Sequence, residues 1–262
     1  MATPNPSNTT FILIPGSFST PSEYDKVDAL LQKQNHPTKH VELLSVNDGT
    51  RMPPATTEQD TAHIRAAILS VLDDQHHNAI LCLHSYSGVP GSSALQGLSK
   101  KDRLEAGKDT AVLGIVYIGS FLPAVGQSLR SILGEEMPEP YKTGFPGEYF
   151  PAIPVDFAPF VFNDVEDQAE VAKYHGIMTR HSSDSYGGEC TYAAWKDIES
   201  VQIIPERDVI LPVGAQEAMY ETAVRDGGKV KRVFMEGVGH CVNVSRPQLV
   251  VDELVGLLEA AS

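Results

Sequence analysis

Apolar residues lie along this 262-residue chain in two textures. The first is the short apolar run: Thr10–Ile14, stopped at once by Pro15-Gly16, then Asn78–Leu83 and Ala111–Ile118, both continuous; strands are also expected near Val201–Ile204 and at Val230–Met235. Runs that do not alternate with polar residues are the pattern of parallel strands covered by helices on both faces. His40–Val46 is one more candidate strand. The second texture is the helical stripe. After Thr56-Thr57-Glu58, residues Ile64, Ala67, Ile68, Val71 and Leu72 fall on one helix face. A further helix is expected near Ala215–Arg225, and a closing one from Pro247, with Leu249, Val250, Leu254, Leu257 and Leu258 as its inner stripe.

Between Pro123 and Ala194 the rhythm breaks. Proline and glycine become frequent, aromatic residues accumulate (Phe145, Tyr149, Phe150, Phe157, Phe160, Phe162), and strand–helix alternation stops until after Trp195. Alternation on both sides of an irregular middle predicts an α/β fold, a mostly parallel central sheet flanked by helices, with the middle segment inserted over the sheet. Residues 1–9 read as a disordered lead-in.

Charge narrows the class of partner. The chain has 20 Lys+Arg against 34 Asp+Glu, so its formal charge is 20 − 34 = −14, which disfavours nucleic-acid and anionic-membrane surfaces. No apolar run approaches the roughly 20 residues of a membrane span, and the opening residues lack the cationic and apolar regions of a secretory signal. Cys82, Cys190 and Cys241 are too few and too scattered for a disulfide framework or a zinc cluster. The expectation is a soluble, cytoplasmic protein.

The most informative segment runs from Ala79 to Gly91. A buried strand ends in His84-Ser85-Tyr86, and the small residues Ser87 and Gly88 follow before a helix. Such a turn holds its serine strained and exposed, and the N–H of Tyr86 would then face an oxyanion. A serine needs a base and the base an orienting acid. Gly237-Val-Gly-His240 offers a histidine on a flexible loop after a strand, and Asp208 stands just past another strand end, with Asp226 and Glu236 as nearby alternatives. The order Ser85, Asp208, His240 is that of the nucleophile-elbow hydrolases. Ser87 is the rival nucleophile. His76-His77 reads as a solvated helix end, because adjacent helical residues point apart. Gly237-Val-Gly is too short for a dinucleotide loop.

The segments ILIPGSF, HSYSGVPG, YIGSFLP, ERDVILP and GVGHCVNVSRP resemble those of α/β-hydrolases, in the branch of plant methylesterases, hydroxynitrile lyases and their small fungal and bacterial relatives. The resemblance spans the whole chain. It implies a hydrolase core over residues 1–122 and 195–262 with a cap over 123–194. Ser85 is then the nucleophile, His240 the base and Asp208 the acid, with the N–H groups of Ser17 and Tyr86 as oxyanion donors. Phe18 and Leu122, each on a loop beside a strand end, are the pocket liners singled out. No cofactor or metal is implied.

Three positions depart from the family pattern. Leu83 and Ser87 stand where glycine is common on either side of the nucleophile, so the elbow is expected to be reshaped. Pro15 replaces a histidine that braces the first loop. Cys241 replaces the lysine that follows the catalytic histidine in the lyases, which disfavours cyanide as a leaving group. The expected substrate is therefore a small, fairly apolar carboxylic ester or lactone. A tailoring enzyme of secondary metabolism acting by C–C cleavage, cyclisation or acyl transfer, and a non-catalytic small-molecule binder, are the alternatives. Caps in this branch often lie near dimer contacts, so a homodimer is an expectation of the resemblance.

Overall fold

A computed structural model describes residues 8–261. Residues 1–7 of the expected lead-in lie outside the described residues, and Thr9 already belongs to the first strand. Among the described residues there are nine strands: β1 (Thr9–Ile14), β2 (Thr38–His40), β3 (Val46–Asn47), β4 (Asn78–His84), β5 (Val112–Ile118), β6 (Tyr149–Phe150), β7 (Arg180–Ser182), β8 (Ser200–Pro205) and β9 (Val230–Met235).

Six of them form the central sheet, in the order β2-β1-β4-β5-β8-β9. Every neighbouring pair is parallel. All six residues of β1 and the last six of β4 are buried, as unbroken apolar strands should be when both faces are covered. Each fully buried Ile, Leu or Phe removed from water contributes about 1.5–3 kcal/mol, so β1 and β4 anchor the sheet. One face packs on Ile64, Ile68, Val71 and Leu72 of the helical stretch that starts after Thr56, whose first turn is closed by a reciprocal capping box between Thr56 and Gln59. The other face packs on the helix Pro247–Ala261 through Val250, Val251 and Leu254.

Two expectations need correction. His40–Val46 is not one strand. The chain leaves the sheet after His40, and Val46–Asn47 pairs antiparallel with β7 in a second, three-stranded sheet of order β3-β7-β6. That small sheet ties the middle segment, from which β6 and β7 come, to the first half of the chain. In the closing helix, Leu249 is exposed and Val251 takes its place on the inner side, because the inner stripe begins one residue later than the sequence pattern implies. No described helix is long and apolar enough to cross a membrane.

Candidate active site

From β1 the chain crosses to β2 on one side and later returns to β4 on the other, so the sheet order reverses between β1 and β4. In an open parallel sheet, the crevice outside the carboxyl ends at such a reversal is where ligands bind. The loop Pro15–Ser19 leaves β1 at this point and Ser85 leaves β4 beside it.

Ser85 has a φ of +53°, a left-handed conformation that costs a non-glycine residue about 1–2 kcal/mol. Neighbouring bonds hold it there: the Ser120 hydroxyl donates to the Ser85 carbonyl at 2.8 Å, and the Phe121 N–H at 3.3 Å. Leu83 does not block the turn, because Gly91 in the following helix makes room for it. A Cβ at Gly91 would lie 2.7 Å from Leu83 Cδ2. Ser87 is fully buried, and its hydroxyl donates to the His84 carbonyl at 2.8 Å, inside the elbow and away from the cavity.

His240 sits on the loop after β9 with Nδ1 2.8 Å from Asp208 Oδ2. The acid, on the loop after β8, has a fully enclosed side chain. Its Oδ1 accepts the N–H groups of Ile210 (2.9 Å) and Leu211 (2.8 Å), and its Oδ2 accepts from Gln216 Nε2 at 2.9 Å. Asp226 and Glu236, the alternative acids, are exposed at the surface. With Nδ1 turned to the acid, Nε2 is the ring nitrogen left for the cavity. Ser85 and His240 line the same cavity, of about 350 Å³, together with Ser17.

Phe18 lines that cavity, at a φ of +64°. Leu122 does not. It is buried in the core with its N–H on the Met219 sulfur, and the neighbouring Phe121 takes the place on the cavity wall. Adjacent residues in extended chain point to opposite sides, so the sequence singled out the right loop and the wrong neighbour. Much of the remaining wall comes from residues 129–186, including Met137, Tyr141 and Met178.

Sequence reading missed the groups that brace the loop after β1. Where Pro15 removes an imidazole, another imidazole and a carboxylate arrive from elsewhere. His181, on β7, accepts the Phe18 N–H at Nδ1 (3.4 Å) and bonds Ser185 Oγ through Nε2 (2.8 Å). Burial lowers its pKa to about 3, so it stays neutral. Glu23, buried on the short turn Pro21–Tyr24, accepts the Gly16 N–H at Oε2 (3.3 Å) and sets Oε1 2.8 Å from His84 Nδ1. Gln216 was likewise unforeseen. None of the three carries a local sequence signal: Glu23 reads as an acid in a helix first turn, His181 acts across 163 positions, and Gln216 reads as an ordinary helix residue whose direction the sequence does not give.

Glu23, His84 and Cys241 offer three potential metal-ligand atoms within 4.8 Å of one another. Their chemistry fits an ion pair beside an apolar thiol better than a metal centre. Glu23 and His84 face each other, and burial, together with the Glu23 and Asp208 charges, pushes the Cys241 thiol well above its ordinary value, which keeps it a neutral thiol beside the pair. His77, by contrast, turns from His76 to bond Thr10 Oγ1 at 3.0 Å.

Comparison with known proteins agrees with this architecture. A probable hydrolase from Phoma sp. is 28% identical over 250 residues, covering 94% of this chain and 98% of its own length. An alpha/beta hydrolase of Aspergillus novofumigatus is 27% identical over 242 residues, covering 92% of both chains. Among solved structures, an extracellular alpha/beta-hydrolase from a Paenibacillus species superposes with a TM-score of 0.71 at 17% identity, over 97% of this chain and 99% of that one. A mutant of polyneuridine aldehyde esterase gives 0.73 at 16%, with the same coverage. A pyrethroid hydrolase from Sphingobium faniae gives 0.69 at 20%, over 96% and 98%. At such identities these structures speak for the fold alone. The model of the alpha/beta hydrolase family matches residues 11–253, nearly the whole chain, and the protein is a member of that family.

Proposed function

We propose that this alpha/beta hydrolase is a serine hydrolase that cleaves a small, fairly apolar carboxylic ester or lactone, with Ser85 as nucleophile, His240 as base and Asp208 as acid. The observation that carries the reading is the 2.8 Å contact between His240 Nδ1 and the enclosed Asp208, with His240 and the strained Ser85 opening on one cavity. Asp208 holds the imidazole in the tautomer whose Nε2 accepts a proton, and stabilises the imidazolium once formed.

In the first half-reaction Ser85 Oγ attacks the carbonyl carbon while His240 Nε2 takes its proton. The Ser17 and Tyr86 N–H groups receive the oxyanion, a contribution of about 3–4 kcal/mol for each donor. His240 returns the proton to the departing alcohol, leaving an acyl-enzyme on Ser85. Water then attacks that ester by the same route, with His240 again as base. Residues 123–194 act as the cap. An anionic substrate is disfavoured, because among the described residues no Lys or Arg lines the cavity, whose wall is mostly apolar and includes Glu136. Phe157, Val209 and Ile210 line it while remaining partly exposed at its mouth, so an apolar arm can extend outward.

The test is a pre-steady-state assay with p-nitrophenyl butyrate. A burst of p-nitrophenol equal to the enzyme concentration, absent in Ser85→Ala, is the expected result. Equal slow rates from the two proteins, with a ligand still bound tightly, would leave a binding protein.

A further inference from the structure

Behind the nucleophile lies a second acid–imidazole pair that the reaction above does not use. Glu23 and His84 are both buried, at 2% exposure each. His84 Nδ1 is 2.8 Å from Glu23 Oε1, and His84 Nε2 is 3.2 Å from the backbone carbonyl oxygen of His240. The two imidazoles lie 4.7 Å apart, tilted by 48°. Glu23 Oε2 accepts the Gly16 N–H, and the Glu23 carbonyl accepts Asn243 Nδ2 at 3.2 Å. Gly16 sits so close that a Cβ there would be 2.9 Å from His84 Nδ1 and 3.0 Å from Ser85 Cβ.

Resting on the assignment of Ser85 and His240 above, we infer that Glu23 and His84 form an ionised positioning pair that locks the oxyanion loop, the nucleophile elbow and the His240 loop into one register. Both nitrogens of His84 face acceptors, a carboxylate and a carbonyl. A neutral imidazole has one donor only, so the ring carries both protons and Glu23 carries the charge. The contact with Glu23 lies off the direction of a good hydrogen bond, which leaves Glu23 Oε1 and His84 Nδ1 bound by charge attraction. Burial opposes both ions, but their mutual attraction outweighs it: Glu23 is held below the usual carboxylate value and His84 above the usual imidazole value. The other titratable groups facing His84 are His240 and Cys241 from the loop after β9 and Asp208 from the loop after β8. His84 shuttles no proton, because neither nitrogen is free. Its effect on the reaction passes through the backbone of His240 and the Gly16 loop.

The sign of the pH dependence follows. Glu23 is ionised above its lowered value and His84 protonated below its raised one, so the pair is intact between the ordinary values of 4.5 and 6.5 and somewhat beyond each. As pH rises through the His84 value, the cation is lost and a buried carboxylate faces a lone pair. Turnover then falls.

The experiment measures kcat and KM for p-nitrophenyl butyrate from pH 5 to 9, corrected for buffer hydrolysis, in the wild type, Glu23→Ala, Glu23→Gln and Ser85→Ala. Glu23→Ala is expected to lose about 100-fold in kcat with little change in KM, the scale of a misplacement of about 1 Å. Glu23→Gln recovers most of that loss, because its amide can donate to His84 Nδ1 and accept from Gly16 without charge. It also abolishes the alkaline fall in kcat. Wild-type kcat in Glu23→Ala, or an unchanged alkaline limb in Glu23→Gln, overturns the inference. If Glu23→Ala does not fold, the Glu23→Gln profile decides alone. Activity that survives in Ser85→Ala would instead overturn the nucleophile assignment, so the two failures are distinguishable.

Discussion

Two acid–imidazole pairs stand ring against ring in this protein, and they differ in one nitrogen. In the Asp208–His240 pair, Nδ1 meets the acid and Nε2 remains for the cavity. In the Glu23–His84 pair, Nδ1 meets the acid and Nε2 is spent on a backbone carbonyl. In the proposed function, similar chemical parts would serve as a proton carrier in one place and a fixed strut in the other. What decides the role is which hydrogen-bonding capacity the surroundings leave unused.

The sharpest way to break the comparison is to remove the carrier. His240→Ala is expected to lower kcat by about 10⁵–10⁶-fold, as for a unit whose members act together, whereas the strut variants lose far less. Stopped-flow measurement of the acylation rate reads the difference. Next in size, Asp208→Asn should cost about 10⁴-fold in kcat with KM nearly constant, by stabilising the wrong tautomer of His240. Gln216 holds the same carboxylate oxygen, so Gln216→Leu is expected to lower kcat by about 10-fold through a looser acid, about the cost of one lost hydrogen bond. An unchanged kcat in either variant would show that the acid does not orient the ring.

A third imidazole extends the comparison to stability. His181 is held neutral, with its pKa lowered to about 3 by burial, while in the unfolded chain it titrates near the ordinary value of 6.5. Between those values the unfolded chain binds a proton that the folded one does not. Stability therefore falls on acidification, by up to about 1.4 kcal/mol per pH unit. Urea unfolding at pH 5 and pH 7 should show this dependence, and it should flatten in His181→Gln. The smallest effect concerns the elbow. Gly91→Ala should cost about 1–3 kcal/mol by overpacking against Leu83, and the Leu83→Ala/Gly91→Ala double variant should be more stable than the sum of the single changes implies. Thermal unfolding of all three checks the coupling.

The inner strands β1, β4 and β5 were readable because burial on both faces demands unbroken apolar runs; the half-exposed edge strand β9 was placed by strand–helix alternation instead, and the polar edge strand β2 was missed. Where hydrophobicity is not the organising force, the reading failed. Val46–Asn47 pairs with a strand more than 130 positions away, which no local pattern encodes. The proposed roles of Ser85, Asp208 and His240 came from their strand-end setting and from the family resemblance, and the structure puts Ser85 and His240 on one cavity with Asp208 bonded to the His240 ring. Glu23, His181 and Gln216 were not, because each works through a contact set by the tertiary fold, and Glu23 has the same local surroundings as any acid in a helix start. Leu122 was mistaken for its neighbour because a loop position fixes the neighbourhood of a side chain and not its direction.

The most direct test of the central claim is labelling with a fluorophosphonate followed by peptide mapping. One adduct per chain is expected, on Ser85, formed in the wild type and lost in Ser85→Ala. An adduct on Ser87, or none at all in a protein that still hydrolyses esters, would contradict it.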